Sequence, residues 1–255
     1  MRLVNGTVDI RALGHIEAYQ AGAPVHIGPP KQRLILALLL NKMPQIVTMD
    51  SLIHSVWGDT PPASAPHNIH LYIHRIRRAL GKDRVLTCVG LGYKLAASRS
   101  EIDIYRFTDR VTSAQNAMKA AEWTKAARVI REALAEWRGS PFAEFHDQGV
   151  FRDEAFRLSE IRLQALENQV EIDLALGDCQ HLVGTLRPLV ASHPYREKFH
   201  EQLARALYQL GRPLEALDVC REASKTFGED LGIEPGFRIR ELERAILGNR
   251  LDTPE

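Results

Sequence analysis

Residues 64–81, SAPHNIHLYIHRIRRALG, constrain the fold more than any other stretch. At a helical advance of about 100° per residue, Ile69, Ile73, Ile76 and Leu80 fall on one narrow stripe, with Tyr72 at its edge. Opposite them lie His67, Leu71, His74, Arg75 and Arg78, with Asn68 on the flank. A seam that must be buried, backed by side chains that donate to phosphates and base edges, is what a DNA recognition helix needs. An ordinary surface helix with a solvated basic face shows the same periodicity, so the neighbouring elements have to decide.

Charge is distributed unevenly along the 255 residues. Residues 1–97 carry 11 Lys and Arg against 5 Asp and Glu, and residues 98–255 carry 22 against 27. A basic first third on an acidic remainder suits a polyanion-binding head joined to a body with another task. Cys88, Cys179 and Cys220 are odd in number, far apart and without a CxxC pair, which points to reduced thiols and away from disulfides or structural zinc. The longest apolar run, residues 34–40, is far below the ~20 residues that span a bilayer. A cytoplasmic protein without membrane contact is expected.

Short β-prone pieces open the chain. Ile10-Arg-Ala-Leu13 and Ile16-Glu-Ala-Tyr19 flank Gly14-His15, and Pro24-Val-His-Ile27 follows Ala21-Gly22, which predicts a small antiparallel sheet. Residues 1–7 read as an irregular leader. Pro29-Pro30 opens a helix over 31–42 that Met43-Pro44 ends. Thr48 or Asp50 caps the next helix, which carries Leu52, Ile53, Val56 and Trp57. Gly58-Asp-Thr-Pro-Pro62 then breaks the chain before the His/Arg helix. Two strands, 84–87 and 93–96, surround Val89-Gly-Leu-Gly92 as a hairpin. Strands, helix, helix, turn, helix, hairpin is the order of a winged helix, whose third helix enters the major groove beside a two-stranded wing.

Beyond Ile104 the pattern is helical, with helices expected over 104–121, 124–138, 150–176, 179–192, 195–210, 213–227 and 236–247. Leu176-Gly177-Asp178 and Leu210-Gly211-Arg212 recur 34 residues apart, the period of tetratricopeptide repeats. Gly184 and Ala216 are the tight interhelical contacts expected of such hairpins. The fold class is therefore mostly α with a small β component. An N-terminal winged helix-turn-helix over residues 8–97 precedes an all-α tetratricopeptide-like domain over 104–248, and the tail after Leu251 is expected to be disordered.

These pieces resemble the Streptomyces antibiotic regulatory proteins. The resemblance rests on Gly28-Pro-Pro-Lys-Gln-Arg33 with its leucine run, Leu52-Ile-His-Ser-Val-Trp-Gly58, Pro62, the run Asn68 to Gly81, and Gly92-Tyr93. In the second domain it rests on Ala133-Leu-Ala-Glu-Trp-Arg-Gly139, His193-Pro-Tyr-Arg-Glu197, Leu207-Tyr-Gln-Leu-Gly-Arg212 and Leu231-Gly-Ile-Glu-Pro-Gly236. It covers residues 9–248. It implies a response-regulator-type winged helix followed by a bacterial transcriptional activation domain, in an activator of a biosynthetic gene cluster, typically for a secondary metabolite. It further implies binding to direct repeats near a promoter, self-association on that DNA, and contact with RNA polymerase including its sigma subunit. Larger members append an ATPase module; these residues stop at the helical domain, and no ATP dependence is expected. Two departures stand out. The wing approach is Thr87-Cys-Val-Gly-Leu91, with Lys94 the nearest basic residue, where proline or arginine is usual, and the reading helix carries His67, His70 and His74.

At the DNA face, Asn68 suits adenine, Arg75 or Arg78 guanine, and Leu71 a thymine methyl, with His67 and His74 in reach of bases or phosphates. Lys31, Thr48, Trp57 and Lys94 are placed for backbone contacts that fix register, and Arg77, nearer the core side, for phosphate or an acidic neighbour. Trp57 is equally suited to core packing. Histidines against phosphate would make binding tighter at low pH. His70 and His74 stand at a zinc-compatible spacing but lack a third ligand, so no metal is expected. No phosphate-binding loop or nucleophile elbow appears, which leaves no catalytic residues and no cofactor to assign. A repeat-domain scaffold that captures a protein, or a repressor of the same architecture, are the competing readings.

Overall fold

The structure, a computed structural model, describes residues 8–248. The leader expected over 1–7 and the disordered tail expected after Leu251 lie outside the described residues. The described chain divides into two compact units, one of residues up to Thr112 together with Glu132–Arg162, the other of Ser113–Arg131 with Leu163 onward.

The first unit begins with an antiparallel meander of β1 (Val8–Arg11), β2 (Glu17–Gln20) and β3 (Ala23–Pro24), in register Val8 to Gln20 and Tyr19 to Pro24. Next come α1 (Pro30–Asn41), α2 (Met49–Trp57) and α3 (Ala65–Leu80), then the hairpin of β5 (Val85–Cys88) and β6 (Gly92–Leu95). A strand not foreseen in the sequence, β4 (Val47–Thr48), pairs antiparallel with β6 and makes the wing three-stranded, in the order β4-β6-β5. Every residue of α1 from Leu34 to Leu40 is buried, because α2, α3 and β6 all pack on it. Ile69, Ile73, Ile76 and Leu80 of α3 are each no more than 1% exposed, which contributes about 1.5–3 kcal/mol per side chain.

After a 3-10 turn at Arg99–Glu101, the chain enters α4 (Asp103–Lys119) and α5 (Trp123–Leu134). The first unit closes on itself through Asp103. Its wholly buried carboxylate accepts the amides of Ala12 (2.8 Å) and Leu13 (2.9 Å) and Nη2 of Arg138 (3.0 Å). Burial pushes the Asp103 carboxyl up, against the pull of the Leu13 and Ala12 amides and of Arg138. Glu144 performs a parallel service, accepting from the Ile16 amide (3.0 Å) and Nε of Arg33 (2.6 Å). These contacts explain why α5 stops at Leu134 rather than at Arg138: the Arg138 and Phe142 amides turn to the Leu13 and Ala12 carbonyls, both at 2.9 Å.

The second unit holds most of α6 (Arg152–Ala175) and all of α7 (Leu182–Ser192), α8 (Glu197–Gln209), α9 (Pro213–Leu231) and α10 (Phe237–Leu247). Leu176-Gly177 and Leu210-Gly211 close α6 and α8, as the repeat predicts. Leu182, Leu186, Phe199, Leu203, Leu207, Ala216, Phe227 and Ile239 form the core. Ala216 is fully buried, as expected. Gly184 is not a contact: it is exposed, and a β-carbon there would meet nothing within 4 Å, because α7 packs through Leu182 and Leu186. The α9 helix runs to Leu231, a turn beyond the expected end at Phe227. All three cysteines are free thiols, and burial pushes the Cys220 thiol up to about 12.

Candidate nucleic-acid interface

The isoleucine stripe anchors α3 so that its other face points outward. His67, His74, Arg75 and Arg78 are exposed, Leu71 is 37% exposed, and Asn68 is half-buried with Nδ2 donating to Ser64 Oγ at 3.2 Å. These six residues therefore share one accessible helix face, on a basic element without an acidic residue between Ala65 and Leu80.

The wing is tied to this helix by two contacts that periodicity does not reveal. Arg77 donates from Nε to the Val85 carbonyl (2.8 Å) and from Nη2 to Thr87 Oγ1 (2.6 Å), with its guanidinium carbon 5.9 Å from the Tyr93 ring centre. Tyr93 Oη lies 2.5 Å from Nδ1 of His70. Burial raises the Tyr93 phenol above its ordinary pKa despite Arg77 nearby, so it stays protonated as a bridge. Arg77 thus spends two of its nitrogens inside the protein, and His70 belongs to the seam between helix and wing. Among the described residues no group of three or more His, Cys, Asp or Glu is arranged to hold a metal.

Gly92 fixes the wing from its other side. Its φ of +143° disfavours any L side chain, and a β-carbon there would overlap the Val47 carbonyl oxygen and stand 2.8 Å from Thr48 Cα. The close approach brings β4 against β6 and delivers Thr48 to its post as the α2 N-cap, where its side chain accepts the Ser51 amide at 3.1 Å. Between the start of α2, His70 and the wing runs a groove of about 480 Å³, lined by Thr48, Asp50, Thr87, Cys88 and Leu91. The hydroxyls of Thr48, Thr87 and Tyr93 and the first turn of α2 line it, and of α3 only His70 does. Asp50 is the acidic group on its rim.

The remaining backbone candidates lie apart from this groove. Lys31 at the start of α1 stands 4.9 Å from the ring centre of half-buried Trp57, so those two residues form a pair of their own. Lys94 is half-buried on β6, directly across from Leu86, on the strand face opposite buried Tyr93 and Leu95. Among the described residues no helix is long and apolar enough to cross a membrane.

Two family models match the chain, "Transcriptional regulatory protein, C terminal" over residues 22–95 and "Bacterial transcriptional activator domain" over residues 102–247. The regulatory protein DnrI of Streptomyces peucetius is 34% identical, over 94% of this chain and 92% of DnrI. The chain belongs to the Streptomyces antibiotic regulatory protein family. Other members of similar sequence are longer. The regulatory protein AfsR of Streptomyces griseus is 34% identical over 92% of this chain, which spans 24% of AfsR. The transcriptional regulatory protein EmbR of Mycobacterium tuberculosis is 33% identical over 96% of this chain, which spans 64% of EmbR. The solved structure of EmbR in complex with a low affinity phosphopeptide matches with a TM-score of 0.90 at 32% identity, over 98% of this chain and 67% of that one. As a family member the chain joins a winged helix-turn-helix to a helical domain of the bacterial transcriptional activator type.

Proposed function

We propose that the chain binds promoter DNA through α3 and activates transcription of a biosynthetic gene cluster by recruiting RNA polymerase, its sigma subunit included. One observation carries this reading: the outward face of α3 presents His67, Leu71, His74, Arg75 and Arg78 together while its opposite face is fully buried. In this reading Arg75 and Arg78 take guanine edges, Asn68 leaves Ser64 for adenine, and Leu71 meets a thymine methyl. Lys31, Trp57, Thr48 and Lys94 supply contacts to the DNA backbone that set register. Arg77 acts through the wing that it holds. Two copies on direct repeats spaced by about 10–10.5 base pairs, or a multiple, meet the same face of the duplex and associate there. The protein works in the cytoplasm, where promoter and polymerase are.

Fluorescence anisotropy of the full chain on fragments from its own gene neighbourhood, against scrambled DNA at several salt concentrations, tests the reading. Promoter preference of ~10³ or more that collapses in Arg75→Ala/Arg78→Ala is expected. Weak binding equal on all fragments and unchanged in the variant would overturn it and leave a protein-binding scaffold. Run-off transcription with purified polymerase separates activation from repression.

A further inference from the structure

The second unit contains a cavity that the DNA-binding reading does not use. It opens between α8 and α10 and holds about 540 Å³, within the range of roughly 300–1,000 Å³ typical of small-molecule sites. Leu242 and Ala245 give it an apolar wall, and every other lining side chain is charged. Positions 238, 241, 242 and 245 share one face of α10, which is why that helix supplies both kinds of group.

The charges on the α8 side are already matched. Glu201, 8% exposed, accepts Lys198 Nζ at 3.1 Å and stands 3.6 Å from Arg205 Nη1. Arg205 in turn donates to Glu171 at 2.8 Å, and Lys198 lies 3.2 Å from that same carboxylate. Burial would raise the Glu171 carboxyl, but hydrogen bonds and charge from Arg205 and Lys198 hold it below its ordinary value, so the cluster stays ionised. Two cations and two carboxylates cancel. Arg238, Glu241 and Arg244 are left at the mouth. Arg238 Nη1 comes no closer than 3.8 Å to Glu201, and among the described residues neither Glu241 nor Arg244 has an ion-pair partner. Other charges of α10 are satisfied away from the cavity, Arg240 by Glu234 at 2.8 Å and Glu243 by Arg221 at 4.0 Å. Two guanidinium groups against one carboxylate call for a single negative charge.

We propose that this cavity binds a small organic acid that carries one negative charge and an apolar body. Its carboxylate lies between Arg238 and Arg244, whose planar forks suit two parallel hydrogen bonds, and its body rests on Leu242 and Ala245. The inference stands apart from the reading of α3, since every lining residue lies in the second unit.

Ligand-observed saturation-transfer NMR of the full chain tests the site with 3-phenylpropanoate and, as its neutral counterpart, 3-phenylpropanamide. For a ligand of this size the acid is expected to bind with a Kd on the order of a few millimolar. The amide should bind about tenfold more weakly, because its hydrogen bonds carry no charge. Arg238→Gln/Arg244→Gln changes two exposed side chains and should weaken the acid by about tenfold while leaving the amide unaffected. Glu241→Gln should act the other way and tighten the acid about twofold to threefold, a response that a purely structural role would not give. Equal binding of acid and amide would overturn the proposal, as would an acid affinity unchanged in the double arginine variant. Absence of saturation transfer from the acid at about 20 mM, several times the expected Kd, would do the same. A hexaglutamate peptide that displaces the acid at a tenth of its concentration would also overturn it and assign the cavity to a protein partner.

Discussion

Replacing Gly92 by alanine asks whether one backbone approach sets the position of the whole wing. The new β-carbon overlaps the Val47 carbonyl oxygen and lies 2.8 Å from Thr48 Cα, with φ at +143°. Ordinary van der Waals separation would require β4 to move off β6 by about 1 Å. The strained dihedral costs about 1–3 kcal/mol and the crowding a similar amount, so roughly 3 kcal/mol is expected in all. For a protein of this size that lowers the melting temperature by roughly 6–12 °C. The displacement also passes to Thr48, and through its cap to α2, so promoter affinity should fall with stability. Gly90 provides the internal control: φ is +73°, and a β-carbon there meets nothing within 4 Å. Gly90→Ala should therefore cost only the left-handed backbone penalty, about 1 kcal/mol. Differential scanning calorimetry of the two variants decides the matter, and equal melting temperatures within about 1 °C would refute the contact argument.

Neighbouring positions on α3 should behave in opposite ways. Ile73→Ala is expected to cost about 2–5 kcal/mol in urea unfolding, whereas Leu71→Ala should stay within about 0.5 kcal/mol of wild type and weaken promoter discrimination instead. Asp103→Asn removes a charged acceptor from two buried amides and Arg138 and should cost about 2–4 kcal/mol; a change under about 0.5 kcal/mol would mean that the carboxylate does not hold the first unit closed. Acid should destabilise the protein through its paired glutamates. Burial alone would raise Glu136, but hydrogen bonds and charge from Arg106 and Arg110 outweigh it and hold its carboxyl below the ordinary glutamate value of 4.5. Its share of stability is complete above that value and disappears as pH falls through the lower folded-state pKa. Asp103, whose pKa is raised, has the opposite sign and is relieved by protonation. Urea midpoints measured from pH 7 downward should drop below pH 4.5, and Glu136→Gln should flatten that drop.

Periodicity made α3 legible because one residue type, isoleucine, marks its buried side and basic residues mark the other. Thr48 was legible as a cap for a similar reason, since hydroxyl and helix start stand next to each other. Contacts between elements were harder to read. Val47-Thr48 is too short for strand alternation to register, so β4 is visible only through its pairing with β6. Arg77 finds its partners on a hairpin eight and ten residues away, which a helical wheel does not display. Asp103 stands between two isoleucines, a hint of burial, yet the amides it serves lie 90 and 91 positions earlier. Gly184 shows the converse error: a small residue in a repeat suggests close packing, but its face of α7 is open. The apolar wing tip was plain in the sequence as a departure from a basic one, and the structure adds that the strands below it are tied to α3 at Val85, Thr87 and Tyr93.

The hold of Asp103 and Glu144 on Ala12, Leu13, Ile16 and Arg33 also governs how this protein can be rearranged. A head cut at residue 97 would keep the whole outward face of α3 and yet leave the Ala12 and Leu13 amides without their acceptor and the β1 edge without Ile102. Chimaeras that exchange heads between effectors should accordingly keep Asp103 and the Glu132–Arg162 segment with the head and not be joined in the linker before Ile104. The head travels as a graft only when the segment that clasps it travels too.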